Sequence, residues 1–257
     1  MDDDASVARF YDQFAADYHL IFADWDASMA RQGEALDAMV RARLGAGPVS
    51  VLDCSCGIGT QAIALARRGH RVTGSDLSQV AVGRAVREAA LRGLQLPAAA
   101  ADMRHLPFAD AVFDVVVCAD NALPHLLTEE DVRVALAEMR RVLRDGGLLI
   151  LSTRPYDDIL RSRPVSTPPQ LARTPDGRAV TFQLWDWHED GERYDLELFQ
   201  LLPDGDDWHV KVRRTTYWAL TRDRLNGLVT EAGFTGPEWA APEASGFFQP
   251  VLTARKR

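Results

Sequence analysis

VLDCSCGIGTQAIALARRGHRVTGSD, residues 51–76, is the segment that decides the fold of this chain. It begins with an apolar strand that ends at Asp53, turns through Gly57 and Gly59 into a helix, and continues into a strand that ends at Asp76. Glycines let the backbone approach a ligand closely because they carry no Cβ, and an acidic residue after the second strand suits a ribose diol. The segment therefore predicts a nucleotide-cofactor site.

Strand-like and helix-like apolar spacing alternates on both sides of this segment. Helical spacing over residues 7–44 predicts two helices before the sheet, with Ser28 as the cap of the second. Strands are predicted at residues 49–53, 71–75, 98–101, 112–117 and 148–153, with helices from Thr60, Ser78 and Thr128 between them. This alternation predicts an α/β fold with a parallel sheet and helices on both faces.

The spacing changes after residue 154. Residues 161–177 contain four prolines and predict a loop. Segments rich in aromatic and β-branched residues then predict an antiparallel meander, and a last helix and two closing strands follow it. The three strands of the meander are expected at residues 180–187, 194–202 and 208–220, and the last helix at residues 221–232.

Together these segments predict a single domain that covers residues 1–257. Its centre is a Rossmann-like, seven-stranded, mostly parallel sheet. Residues 1–45 are expected to form an N-terminal helical lid. Residues 155–220 are expected to form an inserted antiparallel cap over the substrate.

Composition excludes several classes of protein. The chain of 257 residues carries a net charge of −8, which argues against a general nucleic-acid-binding surface. Its three cysteines, two of them in the glycine loop, predict neither a disulfide framework nor a metal site. No apolar stretch reaches the ~20 residues that a membrane span needs, and the acidic N-terminus lacks the apolar core of a signal peptide. We therefore expect a cytoplasmic protein, and whether it forms a homo-oligomer stays open.

Acidic residues around the glycine loop bear on the identity of the cofactor. Ala62 stands where a dinucleotide fingerprint has its third glycine, and the Asp53 carboxylate disfavours a pyrophosphate. Asp53 could instead orient an ammonium group of the ligand. Asp102 and Met103 follow the third strand and offer a carboxylate for an adenine amino group and an apolar side chain for its ring. A nicotinamide-dependent oxidoreductase and a cofactor-binding protein without turnover stay open as alternatives.

Five ordered segments carry a family resemblance, namely VLDCSCGIG, GSDLS, ADM, FDVVVCADNALPHL and LRDGGLLIL. They resemble the class I S-adenosylmethionine-dependent methyltransferases. CADNALPHL and LLILSTRPYDDIL further resemble the glycine and glycine/sarcosine N-methyltransferases, whose segments read close to CLGNSFAHL and RNYDxIL. Asp120, Ala122 and Pro155 replace a glycine, a serine and an asparagine of those segments. We therefore expect an acceptor pocket that differs from the glycine pocket.

The resemblance implies S-adenosyl-L-methionine as the cofactor and S-adenosyl-L-homocysteine as its product. It implies that Asp76 binds both ribose hydroxyls and that Arg31 pairs with the cofactor carboxylate. Tyr11 and Tyr18 would close over the sulfonium. The residues that it places around the cofactor are Tyr11, Tyr18, Arg31, Asp53, Ser55, Gly57, Asp76, Leu77, Asp102, Met103 and Ala119.

The acceptor site is expected at Asn121, His125, Arg154 and Tyr217. In the family, the arginine after the fifth strand binds the substrate carboxylate, and the planar guanidinium of Arg154 suits that task. Asn121 and Tyr217 would orient an amine, and His125 would accept its proton. The expected reaction is an in-line methyl transfer to the nitrogen of a small amine or amino acid, in which positioning and exclusion of water carry most of the rate.

Simpler roles stay open for several of these residues. Asp102 could only cap the turn that follows it, and Arg154 could lie on the surface at a strand end. His125 could bond a buried backbone carbonyl. Within the class, an O-methyltransferase of a small metabolite or natural-product intermediate is the main alternative.

Overall fold

The computed structural model of the chain describes residues 3–174 and 177–257. Residues 1–2 of the predicted lid and 175–176 of the predicted cap lie outside the described residues. The helices are α1 Asp3–Phe14, α2 Trp25–Leu44, α3 Thr60–Ala66, α4 Gln79–Leu91, α5 Glu129–Val142, α6 Tyr156–Ser162, α7 Arg222–Glu231 and α8 Pro242–Ser245. The strands are β1 Ser50–Asp53, β2 Arg71–Asp76, β3 Ala98–Ala100, β4 Phe113–Cys118, β5 Leu143–Ser152, β6 Gln170–Thr174, β7 Gly177–Trp187, β8 Arg193–Asp204, β9 Asp207–Trp218, β10 Phe234–Ala240 and β11 Val251–Lys256. Two 3₁₀ turns lie at Tyr18–Ile21 and Leu123–His125.

Seven strands form one mostly parallel sheet in the order β10-β11-β5-β4-β1-β2-β3. β11 runs antiparallel to its neighbours β5 and β10, and the remaining pairs are parallel. The chain leaves β1 toward β2 on one side and later enters β4 on the other, which opens a crevice at the carboxyl ends of these strands. The predicted α/β fold class is confirmed.

Helices cover both faces of this sheet. Val51 and Leu52 point to opposite faces of β1, and both are fully buried. Val51 packs in a cluster with residues of α2, α3 and α4, whereas Leu52 packs with residues of α5 and α7. Burial on both faces explains why the central strands are apolar throughout.

The caps of two helices test the predicted helix starts. The Thr128 hydroxyl accepts a hydrogen bond from the Asp131 amide at 3.2 Å, which confirms the predicted cap of α5. The start predicted for α2 is wrong, because Asp24 accepts from the Ala27 amide at 2.9 Å and the helix begins before Ser28. Ser28 is buried inside α2.

The insertion forms a second, antiparallel sheet in the order β6-β7-β8-β9. Strands β7, β8 and β9 confirm the predicted meander. The loop predicted at residues 161–177 is wrong in part, because β6 pairs with β7 from Gln170 opposite Thr181 onward. Pro168 and Pro169 directly precede β6, so the strand itself contains no proline and keeps its backbone donors.

Helix α1 packs on the second sheet. Phe10 and Phe14 lie in one buried cluster with Trp185 and other apolar residues of that sheet. The buried Arg213 of β9 donates from Nη2 to Asp17 Oδ2 at 2.7 Å, just beyond the end of α1. The N-terminal helix and the second sheet therefore form one layer, and both contribute residues to the cavities described next.

Candidate active site

The glycine loop joins β1 to α3. The Cys56 amide donates to the Ser75 carbonyl at 2.9 Å, and the Gly59 amide donates to the Cys56 carbonyl at 2.7 Å. Gly57 and Gly59 have φ values of 50° and 96°, a region that glycine adopts without steric cost. A Cβ at Gly59 would also lie 2.8 Å from the Ile63 side chain. Both glycines are therefore required by the shape of the loop.

Asp76 ties this loop to the start of the next helix. Its Oδ2 accepts from the Gly57 amide at 2.8 Å, and its Oδ1 accepts from the Ser78 amide at 2.9 Å. Burial raises the pKa of the carboxyl group despite these bonds. Asp76 lines the cavity above the loop, where it can still accept hydrogen bonds from a diol.

Asp53 lies fully buried beneath the same loop. Its Oδ1 accepts from the Ser55 amide at 3.4 Å, and its Oδ2 has no hydrogen-bond partner among the described residues. Burial, with a smaller contribution from the Asp76 charge, raises the pKa of Asp53 to about 7. An orphaned carboxylate at this place would be stabilised by a cationic group of a ligand.

A cavity of about 790 Å³ opens above the glycine loop, and we call it the loop cavity. Its wall combines residues of α1, the glycine loop, the end of β2, the turn after β3 and the end of β4. A concave wall built from several elements is typical of small-molecule sites.

Asp102 lies in this wall and caps its own turn. Its Oδ1 accepts from the Arg104 amide at 2.8 Å, and its Oδ2 accepts from Arg104 Nη2 at 2.6 Å. Burial alone would raise the pKa of Asp102, but Arg104 holds it below its ordinary value. The cap role left open by the sequence is therefore present, and Asp102 still faces the cavity.

Two further cavities adjoin the loop cavity. The aromatic cavity, about 420 Å³, lies between α1 and the second sheet and is lined by Phe10, Phe14, Arg154, Tyr217 and their neighbours. The outer cavity, about 1040 Å³, continues past Arg154 toward Pro155 and Phe248. Tyr11 and Tyr18 line both the loop cavity and the aromatic cavity, and Asp120 lines all three. The three cavities thus meet at Asp120.

Arg154 is held among aromatic rings in the aromatic cavity. Its guanidinium carbon lies 4.9 Å from the ring centre of Trp185 and 5.0 Å from that of Tyr217. Its Nη1 donates to the Tyr194 hydroxyl at 2.8 Å. None of the ion pairs among the described residues involves Arg154. The surface position left open by the sequence is excluded, because Arg154 lines two cavities.

His125 is neutral and bonded at both ring nitrogens. The Tyr11 hydroxyl lies 2.7 Å from Nε2, and the Thr215 hydroxyl lies 3.3 Å from Nδ1. Burial, together with the positive charge of Arg154, lowers the pKa of His125 to about 3. The ring of Tyr217 packs against His125 with centroids 4.1 Å apart. This geometry gives His125 a positioning role for Tyr11 and makes it a poor proton acceptor.

The side chain of Asn121 bonds the backbone of Arg154. It is buried, and its Oδ1 accepts from the Arg154 amide at 3.0 Å. Its own φ is 65°, and its amide donates to the Ser152 carbonyl at 3.1 Å. Asn121 is not among the residues that line the three cavities described above. Its role toward the acceptor stays a prediction.

Comparison with known proteins identifies the central segment. Residues 51–147 match the family model of the methyltransferase domain. These residues belong to the methyltransferase-domain family. The match runs from β1 to the start of β5, so the loop cavity lies largely within the methyltransferase domain.

Relatives are similar to this chain over a longer stretch than the family model. Over 138 residues the chain is 38% identical to a glycine/sarcosine N-methyltransferase of Parasynechococcus marenigrum, which covers 53% of this chain and 48% of that protein. The chain spans about half the length of the curated glycine/sarcosine N-methyltransferases that it matches. The resemblance to the class I S-adenosylmethionine-dependent methyltransferases is confirmed.

Solved structures extend the fold to the whole chain. DesVI of Streptomyces venezuelae has a TM-score of 0.75 at 19% identity and covers 98% of both chains. The sugar N-methyltransferase KedS8 of Streptoalloteichus has a TM-score of 0.72 at 20% identity, with 89% of this chain and 88% of that chain covered. The N-terminal helices and the second sheet are therefore part of the shared fold.

The structure brings most of the predicted cofactor residues together. Asp53 lies beneath the loop cavity rather than in its wall. Arg31 is exposed on α2 and does not line the loop cavity, because its helix packs behind α3. The predicted residues that line the cavity are Tyr11, Tyr18, Ser55, Gly57, Asp76, Leu77, Asp102, Met103 and Ala119.

Sequence reasoning missed other residues of the cavity wall. Thr60 and Gln61 form the first turn of α3. Their place in the sequence directly after Gly59 could have indicated that they line the cavity. The Thr60 hydroxyl accepts from Trp25 Nε1 at 2.9 Å, a contact across 35 positions that no local pattern predicts.

No described helix has the length and apolar character required to cross a bilayer.

Proposed function

We propose that this protein transfers a methyl group from S-adenosylmethionine to the nitrogen of a small molecule that carries an amine and a carboxylate. The observation that supports this most strongly is Arg154, a cation that makes no ion pair among the described residues and lines a cavity that adjoins the glycine loop. Arginine binds a carboxylate through two parallel hydrogen bonds. A carboxylate on the acceptor would pair directly with Arg154 in this way.

The residues around the loop cavity fit the cofactor. Asp76 would accept hydrogen bonds from the ribose hydroxyls, and the orphaned Asp53 carboxylate would attract the ammonium group. Met103 would contact the adenine ring. When bound, S-adenosylmethionine supplies an electrophilic methyl group: a nitrogen–carbon bond forms, the carbon–sulfur bond breaks, and its electron pair stays on sulfur.

The protein's own part in this reaction is positioning. Tyr11 and Tyr18 lie where the loop cavity meets the aromatic cavity, so they would exclude water from the reacting atoms. An attacking atom must come within ~3–3.5 Å of the carbon that it attacks, along the axis of the bond that breaks. In this proposal residues 1–45 act as a lid and residues 155–220 act as a cap over the acceptor.

The relatives support nitrogen as the acceptor atom. One is named a glycine/sarcosine N-methyltransferase, and a structural neighbour is named a sugar N-methyltransferase. The outer cavity extends the site beyond what glycine would fill, and Asp120 stands where the glycine and sarcosine enzymes are expected to have glycine. We therefore favour an acceptor larger than glycine that keeps an amine and a carboxylate.

Isotope-labelled S-adenosylmethionine tests this function. The wild-type chain is incubated with a panel of amines, in pairs with and without a carboxylate, and methylated products are measured by mass spectrometry. We expect methylation of an amine that carries a carboxylate, with one S-adenosylhomocysteine formed for each methyl group. Labelled product only from phenols or carboxylic acids would assign an O-methyltransferase instead.

Arg154→Ala then tests the carboxylate contact. We expect kcat/KM for the carboxylate-bearing amine to fall roughly 30-fold or more, because a buried charge pair is lost. Arg163→Ala is the matched control, since Arg163 also stacks on a tryptophan, at 5.7 Å from the Trp187 ring, but lines none of the three cavities. Unchanged kinetics in Arg154→Ala would rule out the carboxylate clamp.

A further inference from the structure

Asp120 is the residue at which the three cavities meet. It follows β4 at the carboxyl edge of the sheet and lines the loop, aromatic and outer cavities. A group bound at Asp120 therefore lies between the cofactor and the acceptor. The family resemblance gives this residue no role, because the segment that it resembles has glycine here.

The backbone at Asp120 is held in a strained turn. Asp120 and Asn121 have φ values of 56° and 65°, a left-handed conformation that aspartate and asparagine tolerate better than most residues. The Asp120 amide donates to the Ser152 hydroxyl at 2.8 Å, which fixes the turn against the end of β5. Such strain persists where the surrounding structure holds it, often at functional sites.

Each oxygen of the Asp120 carboxylate has one hydrogen-bond donor. The Tyr18 hydroxyl donates to Oδ2 at 3.1 Å, and Gln249 Nε2 donates to Oδ1 at 3.3 Å. Each oxygen can accept a further bond. Burial raises the pKa of Asp120 to about 6, although Tyr18 and the positive charge of Arg154 oppose the shift.

The other titratable groups that face Asp120 are poor proton acceptors. Burial raises the pKa of Tyr11 on α1 and of Tyr18 on the 3₁₀ turn well above 10, and that of Tyr217 on β9 to about 12. These hydroxyls stay neutral at ordinary pH. Arg154, which follows β5, is a permanent cation. His125 uses both ring nitrogens within the protein.

We propose that Asp120 binds the ammonium group of the acceptor and takes one of its protons, so that the amine is neutral when it is methylated. This inference rests on the proposed function. An N–H bond of the ammonium breaks, its electron pair remains on nitrogen as the lone pair, and an O–H bond forms on the Asp120 carboxylate. Arg154 and Asp120 together then recognise a dipolar acceptor, with its carboxylate at one end and its amine at the other.

Two substitutions separate the charge of Asp120 from its backbone role. Asp120→Asn keeps the shape and removes the base, and Asp120→Gly removes the side chain. Asparagine and glycine both accept the positive φ of this position. Calorimetric titration with S-adenosylhomocysteine is expected to give wild-type affinity for both variants, because Asp76 and the glycine loop are untouched.

Kinetics and binding of the amine that the wild type methylates then test the proposal. We expect kcat/KM to fall about 100-fold to 10,000-fold in Asp120→Asn, with loss of the rise in rate that the wild type shows near the pKa of Asp120. Affinity of the S-adenosylhomocysteine complex for the same amine at pH 7 should fall roughly 30-fold or more. Asp114→Asn is the control, because Asp114 lies at the opposite end of β4 from Asp120 and accepts from the Ser50 amide.

Four outcomes are distinguishable. The losses above, with intact binding of S-adenosylhomocysteine, support the proposal. Wild-type rates and pH dependence in Asp120→Asn overturn it but leave methyl transfer standing. Loss of S-adenosylhomocysteine binding in both variants would assign Asp120 a structural role and also overturn it. No product from the wild type across the panel would overturn the proposed function and this inference together.

Discussion

At the scale of single residues, the hydroxyl of Tyr18 tunes Asp120. It donates to Asp120 Oδ2 at 3.1 Å and so stabilises the ionised carboxylate. Tyr18→Phe removes this bond, and we expect the acidic limb of the pH–rate profile to move to higher pH by less than about one unit. Rates measured between pH 5 and pH 9 check this. A limb that moves to lower pH would contradict the assignment.

The raised pKa of Asp53 predicts a dependence of stability on pH. The folded chain holds the Asp53 proton up to about pH 7, whereas the unfolded chain releases it near 3.8. The contribution of Asp53 to stability is therefore greatest below about pH 4 and is lost as the pH rises to about 7. Asp53→Asn lacks this loss, so we expect it to be more stable than the wild type at pH 8 by up to about 4 kcal/mol.

Urea denaturation at pH 5 and pH 8 measures this difference. The gap between Asp53→Asn and the wild type should be larger at pH 8 than at pH 5. Binding of S-adenosylhomocysteine should weaken in the variant, because the ammonium group loses its counter-charge. A variant that is less stable than the wild type by the same amount at both pH values would contradict the raised pKa of Asp53.

The residues around Asp120 show which features of the site can be predicted from the sequence and which cannot. A carboxylate, an amide and an imidazole after β4 indicate a polar mouth. The sequence does not show that Asp120 lines three cavities while Asn121 lines none of them, because this depends on two successive left-handed residues. Likewise, no spacing shows that both ring nitrogens of His125 are already bonded.

At the scale of elements, one ionic cluster joins the end of α1 to β9. Asp17 Oδ2 accepts from Lys211 at 2.8 Å and from Arg213 at 2.7 Å. Burial would raise the pKa of Asp17, but these two cations lower it below its ordinary value. The stability that Asp17 contributes is thus present above about pH 4 and lost as the pH falls through the lowered pKa.

We expect Asp17→Asn to destabilise the chain by roughly 1–3 kcal/mol at pH 7, with a smaller difference as the pH falls. Denaturant titration measures it. Asp186→Asn, an exposed carboxylate on β7, is the control and should change stability by less than about 0.5 kcal/mol. Equal stability of Asp17→Asn and the wild type would show that this ionic cluster does not stabilise the contact between α1 and β9.

Elements with strong periodicity were predictable, and those with mixed composition were not. The Thr128 cap and the apolar face of α5 are local features, so the sequence indicates them directly. Strand β6 is only five residues long and follows two prolines, which hide it in a segment that is typical of a loop. The start of α2 was missed because Asp24 and Ser28 are both good caps, and packing decides between them.

At the scale of the whole molecule, the strand order follows from the alternation of strands and helices. The right-handed crossover rule and the switch between β1 and β4 put the cofactor site at the carboxyl edge of the sheet. The placement of the N-terminal helices against the second sheet does not follow from any local pattern. It depends on contacts such as that between Asp17 and Arg213, which are 196 positions apart.

Binding of S-adenosylhomocysteine, compared with NAD, tests the central claim most directly. The account predicts saturable binding of S-adenosylhomocysteine by calorimetry and no binding of NAD. At 100 times its Kd the ligand should stabilise the chain by about 2.7 kcal/mol, a rise in Tm of roughly 5–10 °C. Asp76→Ala should abolish both effects. Binding of NAD without binding of S-adenosylhomocysteine would contradict the account.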